Sequence, residues 1–167
     1  KFLSSQIFLI SLAVNPAGFS SNTRAIWGGG KDPSGSDGID YITIASIGNA
    51  IDFGNLHAAA SYLAGVCSPT RGVIHTGRAP GDSNVLDYIE IASLGNATDF
   101  GNLSAVRGYM AGFASPTRGV VAGGKTPTYV DIIEYVTIGS TGNATDFGDL
   151  TAARYGAAGA GNDTRGV

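Results

Sequence analysis

Charge is scarce in this chain. Asp, Glu, Lys and Arg make up 14% of its 167 residues, well under the usual quarter. The cations are scattered and the net charge is −3, so no basic run exists to hold a phosphate backbone, and no nucleic-acid partner is expected. Cys67 is the only cysteine, which excludes an intramolecular disulfide and a cysteine metal cluster. Two isolated histidines, His57 and His75, make a poor metal site. The longest apolar stretch, "KFLSSQIFLISLAV" at residues 1–14, resembles the front of a secretory signal but is broken by serines. It is too short to span a bilayer, and no membrane partner is expected.

What is plentiful is glycine, at 26 residues, within a composition that is 43% hydrophobic. Such a chain has enough apolar material for a core, and its small polar residues suit short strands joined by tight turns. The nine residues "GNATDFGNL" (95–103) return as "GNATDFGDL" (142–150) and, altered, as "GNAIDFGNL" (48–56). Arg24, Arg71, Arg118 and Arg165 are spaced by 47, as are Tyr41, Tyr88 and Tyr135, and Phe53, Phe100 and Phe147. A fixed period of this length marks a repeat architecture, in which each unit completes its core by stacking on the next.

The register divides the chain into the tail of a degenerate unit (1–22), repeats at 23–69, 70–116 and 117–163, and the start of another at 164–167. Within a unit, "RGVVAGGK" (118–125) and "DIIEYVTIGS" (131–140) read as strands. Gly142-Asn143 reads as a turn, "ATDFGDL" (144–150) as a third strand and "ARYGAAGA" (153–160) as a fourth. The fold expected is all-β, in four-stranded antiparallel units.

The strand ending in Gly123-Gly124, the pair Glu134-Tyr135 and the segment Ala153–Ala157 resemble, in that order, a blade of the kelch-type β-propellers of the galactose-oxidase central domain family. Phe147 stands where such blades carry tryptophan, and Thr76 replaces the first glycine in the second unit. The wording "SPTRGVVAGG…NVLDYIEIASLGNATDFGNL" is also similar to repeat-containing virion structural or tail-fibre-associated proteins of marine phages, cyanophages especially. These resemblances imply a kelch-like propeller, open or completed by oligomerisation, located in a virion or outside a cell.

Residues recurring once per unit are candidates for holding units together. A guanidinium at Arg24, Arg71, Arg118 or Arg165, bonded to a carboxylate or to strand carbonyls, makes a repeated clamp, and Asp40, Asp87 and Glu134 recur beside it. Asp52, Asp99 and Asp146 lie in "DFG" tripeptides that lack a glycine-rich nucleotide loop, so they read as strand-end aspartates bonding backbone amides. The "GGGK" of Gly28–Lys31 fails the spacing of a phosphate loop. His57 and His75 read as surface or loop residues, and Cys67 as a packed small side chain. Sequons fall at Asn96, Asn102, Asn143 and Asn162, although Asn96 and Asn143 read first as turn residues.

No catalytic set and no cofactor site is expected. The function expected is structural or adhesive, through stacked sheets and loop contacts with further copies or other appendage proteins. A carbohydrate-binding propeller, with surface glycans as ligand, is the alternative. The copper ligands of a galactose-oxidase-like enzyme have no counterpart here.

Overall fold

A computed structural model describes residues 16–30, 34–79 and 81–167. Residues 1–15 of the N-terminal segment, and residues 31–33 with the lysine of "GGGK", lie outside the described residues. No helix occurs among the described residues; the chain is all-β, with three four-stranded antiparallel sheets.

The first sheet runs in chain order, β1 (Ala17–Ser20), β2 (Arg24–Gly28), β3 (Ser36–Thr43) and β4 (Ile51–Ala60). The second holds β5 (Ala64–Cys67), β6 (Arg71–His75), β9 (Val85–Glu90) and β10 (Thr98–Asn102). A two-stranded ribbon, β7 (Arg78–Ala79) with β8 (Gly81–Asp82), is inserted between its middle strands. The third holds β11 (Ala111–Ala114), β12 (Arg118–Ala122), β15 (Ile132–Thr137) and β16 (Thr145–Asp149), with the ribbon β13 (Lys125–Thr126) and β14 (Thr128–Tyr129). The sheets do not close into a ring.

The sheets cut the sequence in a different phase from 23–69, 70–116 and 117–163. "AGVC" and "AGFA" open a sheet rather than finish one, pairing with the arginine-bearing strand that follows. The segment 153–160, read above as the fourth strand, forms no strand of the third sheet; "TDFGD" is its outermost strand. Small residues fit this inner position because neighbouring first strands pack together in the order β1, β5, β11. A Cβ on Gly112 would sit 2.9 Å from the Gly65 carbonyl oxygen.

Alternation along the strands decides what is buried. In β6 and β12 the residues between arginine and the turn are almost all inside, as expected of a central strand covered on both faces. In β4 and β10 phenylalanine points in and the preceding aspartate points out. The outer strands carry bulges against their neighbours, which turn the edge strand and re-aim its side chains.

The apolar core lies between sheets. One cluster joins Ile26, Tyr41, Phe53 and Leu56 of the first sheet with Ile74, Ile89 and Ile91 of the second. Another joins Val73, Leu86, Phe100 and Leu103 with Val121, Val136 and Ile138 of the third. A single sheet therefore buries its face only by acquiring a neighbour, as in other repeat proteins.

Candidate functional site

The repeated nonapeptide builds the junction between sheets. Gly95 N–H donates to the Phe53 carbonyl (2.9 Å), Ala97 N–H to the Asn55 carbonyl (2.8 Å), and Asn55 N–H to Asn96 Oδ1 (3.0 Å). The turn "GNA" of one sheet thus zips onto "FGN" of the sheet before it. The second junction repeats all three bonds, from Gly142 to Phe100, Ala144 to Asn102 and Asn102 to Asn143 Oδ1. The approach requires glycine in the receiving strand. Gly54 and Gly101 have φ of +145° and +144°, and a Cβ on either would collide with the carbonyl oxygen of Gly95 or Gly142. This is why the same residues recur.

Each junction also carries a guanidinium. Arg24 stacks on Tyr41, 4.6 Å from the ring centroid, and its Nη1 donates to the carbonyl of Ile91 in the second sheet (2.6 Å). Arg71 stacks on Tyr88 at 4.5 Å and donates to the Ile138 carbonyl (3.2 Å), while Nε and Nη2 bind Glu90. Arg118 stacks on Tyr135 at 4.2 Å, but its side chain has no hydrogen-bond acceptor among the described residues. Arg165 is exposed, and its backbone N–H donates to Asn162.

The carboxylates beside these strands reach back to the preceding sheet. Asp87 is buried and accepts from His57 N–H (3.2 Å) and from the His57 ring Nδ1 (2.7 Å). Glu134, also buried, accepts from Ser104 N–H (2.9 Å) and pairs with the buried Arg107. Burial pulls the Arg107 pKa down from its ordinary value, and Glu134 pushes it back up. Arg107 Nε contacts Met110 Sδ, and its Nη1 has no hydrogen-bond partner among the described residues. Asp40, the equivalent residue of the first sheet, is exposed.

Asp52, Asp99 and Asp146 are exposed strand residues whose carboxylates make no hydrogen bond among the described residues. The expectation of bonded amides fails there because the strand alternation turns the aspartate outward when phenylalanine turns in. His75 is likewise not a surface residue. It is fully buried, receiving Gly77 N–H at Nδ1 (3.1 Å), so Nε2–H donates to the Ser83 carbonyl (3.0 Å). Burial lowers its pKa to about 4. Cys67 donates to the Ser20 carbonyl across the first junction, and burial pushes its thiol pKa up.

Among the sequon asparagines, Asn96 and Asn143 spend their side-chain oxygen on the junction, and Asn102 donates its backbone N–H to one. Asn162 closes a local turn with Thr164 and Arg165.

A row of tyrosines crosses the ribbon side. Tyr62 and Tyr109 stack at 4.1 Å, Tyr155 meets Tyr109 edge-on, and Tyr129 stacks on Tyr155 at 4.5 Å. Tyr62 and Tyr109 hold left-handed φ of 59° and 62°, a strained setting for bulky residues. The strain has a structural use: Tyr109 N–H donates to the Tyr62 carbonyl, and Gly156 N–H to that of Tyr109. Lys125 lies 5.9 Å from the Tyr129 ring.

The described residues contain no cluster of His, Cys, Asp and Glu fit to hold a metal ion. No family model matches the chain, and no curated protein matches it. The chemistry available at the junctions is hydrogen bonding, stacking and apolar burial.

Proposed function

We propose that this protein is a structural or adhesive repeat protein of an extracellular or virion assembly. Its units act as kelch-like propeller blades of 47 residues, resembling those of marine-phage virion and tail-fibre-associated proteins. The observation that carries the reading is the junction used twice with the same atoms. A chain that repeats its contact surface this way is suited to extending or closing an assembly. The ribbons β7–β8 and β13–β14, whose sequences differ between units, supply surfaces for contact with other components.

Labelled chain incubated with whole cells and with purified tailed-phage particles tests this. Retention on one of these surfaces that survives free saccharide is expected. Retention on neither overturns the reading.

The tyrosine row favours a second reading, a glycan-binding surface. Tyr129 and Tyr155 are half exposed, with the Lys125 ammonium over the Tyr129 ring, and aromatic rings flanked by polar groups suit a sugar ring. Saccharide binding on a glycan array, lost in Tyr129→Ala, would establish it; no binding on the array would sink it.

A further inference from the structure

Among the described residues, the third sheet has a receiving face without a sheet upon it. Phe147 is 54% exposed, whereas Phe53 and Phe100 are 3% and 2% exposed. Gly148 has φ +131° like its equivalents, yet a Cβ there would meet nothing within 4 Å. Arg118 stacks on its tyrosine without, among the described residues, the carbonyl acceptor that Arg24 and Arg71 possess. Cavities of about 340 and 330 Å³ flank Phe147. At the opposite end, the turn Gly48-Asn49-Ala50 is exposed, and a Cβ on Gly48 would likewise meet nothing.

We propose that this face docks the first sheet of a second copy of this chain, head to tail. The inference rests on the stacking reading above and names its partner. The two internal junctions show what such a face accepts: a "GNA" turn and an acidic strand residue. The first sheet offers both, in Gly48–Ala50 and Asp40. The receiving side offers a cation, since Arg154 occupies the position of Arg107 in the repeat, and it is exposed. Asp40 of the incoming copy meets Arg154 as Glu134 meets Arg107, and accepts from Thr151 N–H as Glu134 accepts from Ser104.

The chain's own N-terminal segment lacks the residues of a receiving strand for the exposed Gly48–Ala50 turn. In register, Gln6 stands for the phenylalanine, Ile7 for the required glycine, and Ile10 and Ala13 for His57/Ser104 and Ala60/Arg107. A side chain at the glycine position would meet the turn carbonyl, as at Gly54.

The segment 158–167 lies where the first strands of the incoming sheet would run: a Cβ on Gly159 would sit 2.8 Å from the Gly112 carbonyl oxygen. It is a hairpin closed by its own Ala160–Val167 and Asn162–Arg165 bonds, and all its residues except Gly159 are exposed. It yields its place to β1 and β2 of the second copy. A head-to-tail contact closes into a ring or continues as a fibre according to its rotation.

Sedimentation velocity of the 167-residue chain across a concentration series tests the proposal. Assemblies of two or more copies are expected. Phe147→Asp should leave only monomer, with the urea midpoint of the monomer lowered no more than the loss of its edge-on contact with Tyr135 accounts for. Asp40→Arg or Arg154→Asp alone should weaken association roughly tenfold or more, and the two together should restore it. A wild-type monomer at every concentration, association untouched by Phe147→Asp, or a double variant no better than the singles would overturn it. Each leaves the retention experiment free to succeed or fail separately.

Discussion

Replacing Gly101 by alanine separates the junction from the backbone that forms it. Gly101 and Gly148 occupy the same place in β10 and β16, with φ of +144° and +131°. Alanine at either pays the strain of a conformation open chiefly to glycine, about 1–3 kcal/mol. Only at Gly101 does the new methyl also strike the Gly142 carbonyl. Relieving that clash parts the turn from the strand and removes three hydrogen bonds: Gly142 to Phe100, Ala144 to Asn102 and Asn102 to Asn143. At about 1 kcal/mol net each, these total about 3 kcal/mol, with the loss of Phe100 burial adding to it. Urea unfolding at chain concentrations where the protein is monomeric should show Gly101→Ala less stable than Gly148→Ala by about 3 kcal/mol or more. Equal losses in the two variants would refute the reasoning, because the backbone alone would then explain both.

Other perturbations follow from the same geometry. Arg24→Met removes a charged hydrogen bond to Ile91 and the stack on Tyr41, so urea unfolding should register a loss of about 2 kcal/mol; Arg118→Met, which has only the stack to lose, should cost under about 1 kcal/mol. Glu134→Gln leaves Arg107 buried without its counter-charge and should cost about 3–5 kcal/mol, while Arg107→Met with Glu134→Leu recovers most of that by denaturant titration. His75 has a folded pKa of about 4, below its unfolded value, so the unfolded chain binds the extra proton in between. Stability should be full above about pH 6.5 and fall by about 3 kcal/mol on acidification to pH 4; His75→Gln should flatten that slope in urea midpoints taken across the range.

The repeated arginines and the nonapeptide were legible because recurrence at fixed spacing is independent of local propensity. The β class was legible from the short apolar runs and glycine turns. The phase of the sheets was not: in "AGFA" Phe113 is the one large side chain, and only close approach of β5 and β11 explains the small residues around it. His75 carried a signal that its rarity obscured. Its register partners Gly28 and Ala122 are buried in the other sheets, so a histidine there must enter the interior, where Gly77 and Ser83 satisfy both ring nitrogens. The pair Arg107–Glu134 also left a trace, since glutamate replaces aspartate in the one unit preceded by arginine rather than alanine at the facing position. Reading it required knowing that residues 27 apart face each other across two sheets. The outward turn of Asp52, Asp99 and Asp146 was readable from the phenylalanine beside each one.

Amide hydrogen exchange in the monomer tests the junction most directly. Gly95, Ala97, Gly142 and Ala144 lie in exposed or half-exposed turns, yet donate across a junction to Phe53, Asn55, Phe100 and Asn102. They should exchange slowly, with Asn55 and Asn102, whose amides bind Asn96 and Asn143, while Gly48 exchanges fast. Rapid exchange at Gly95 and Gly142, matching Gly48, would contradict the account, because the repeated nonapeptide would then be a free turn rather than the joint between sheets.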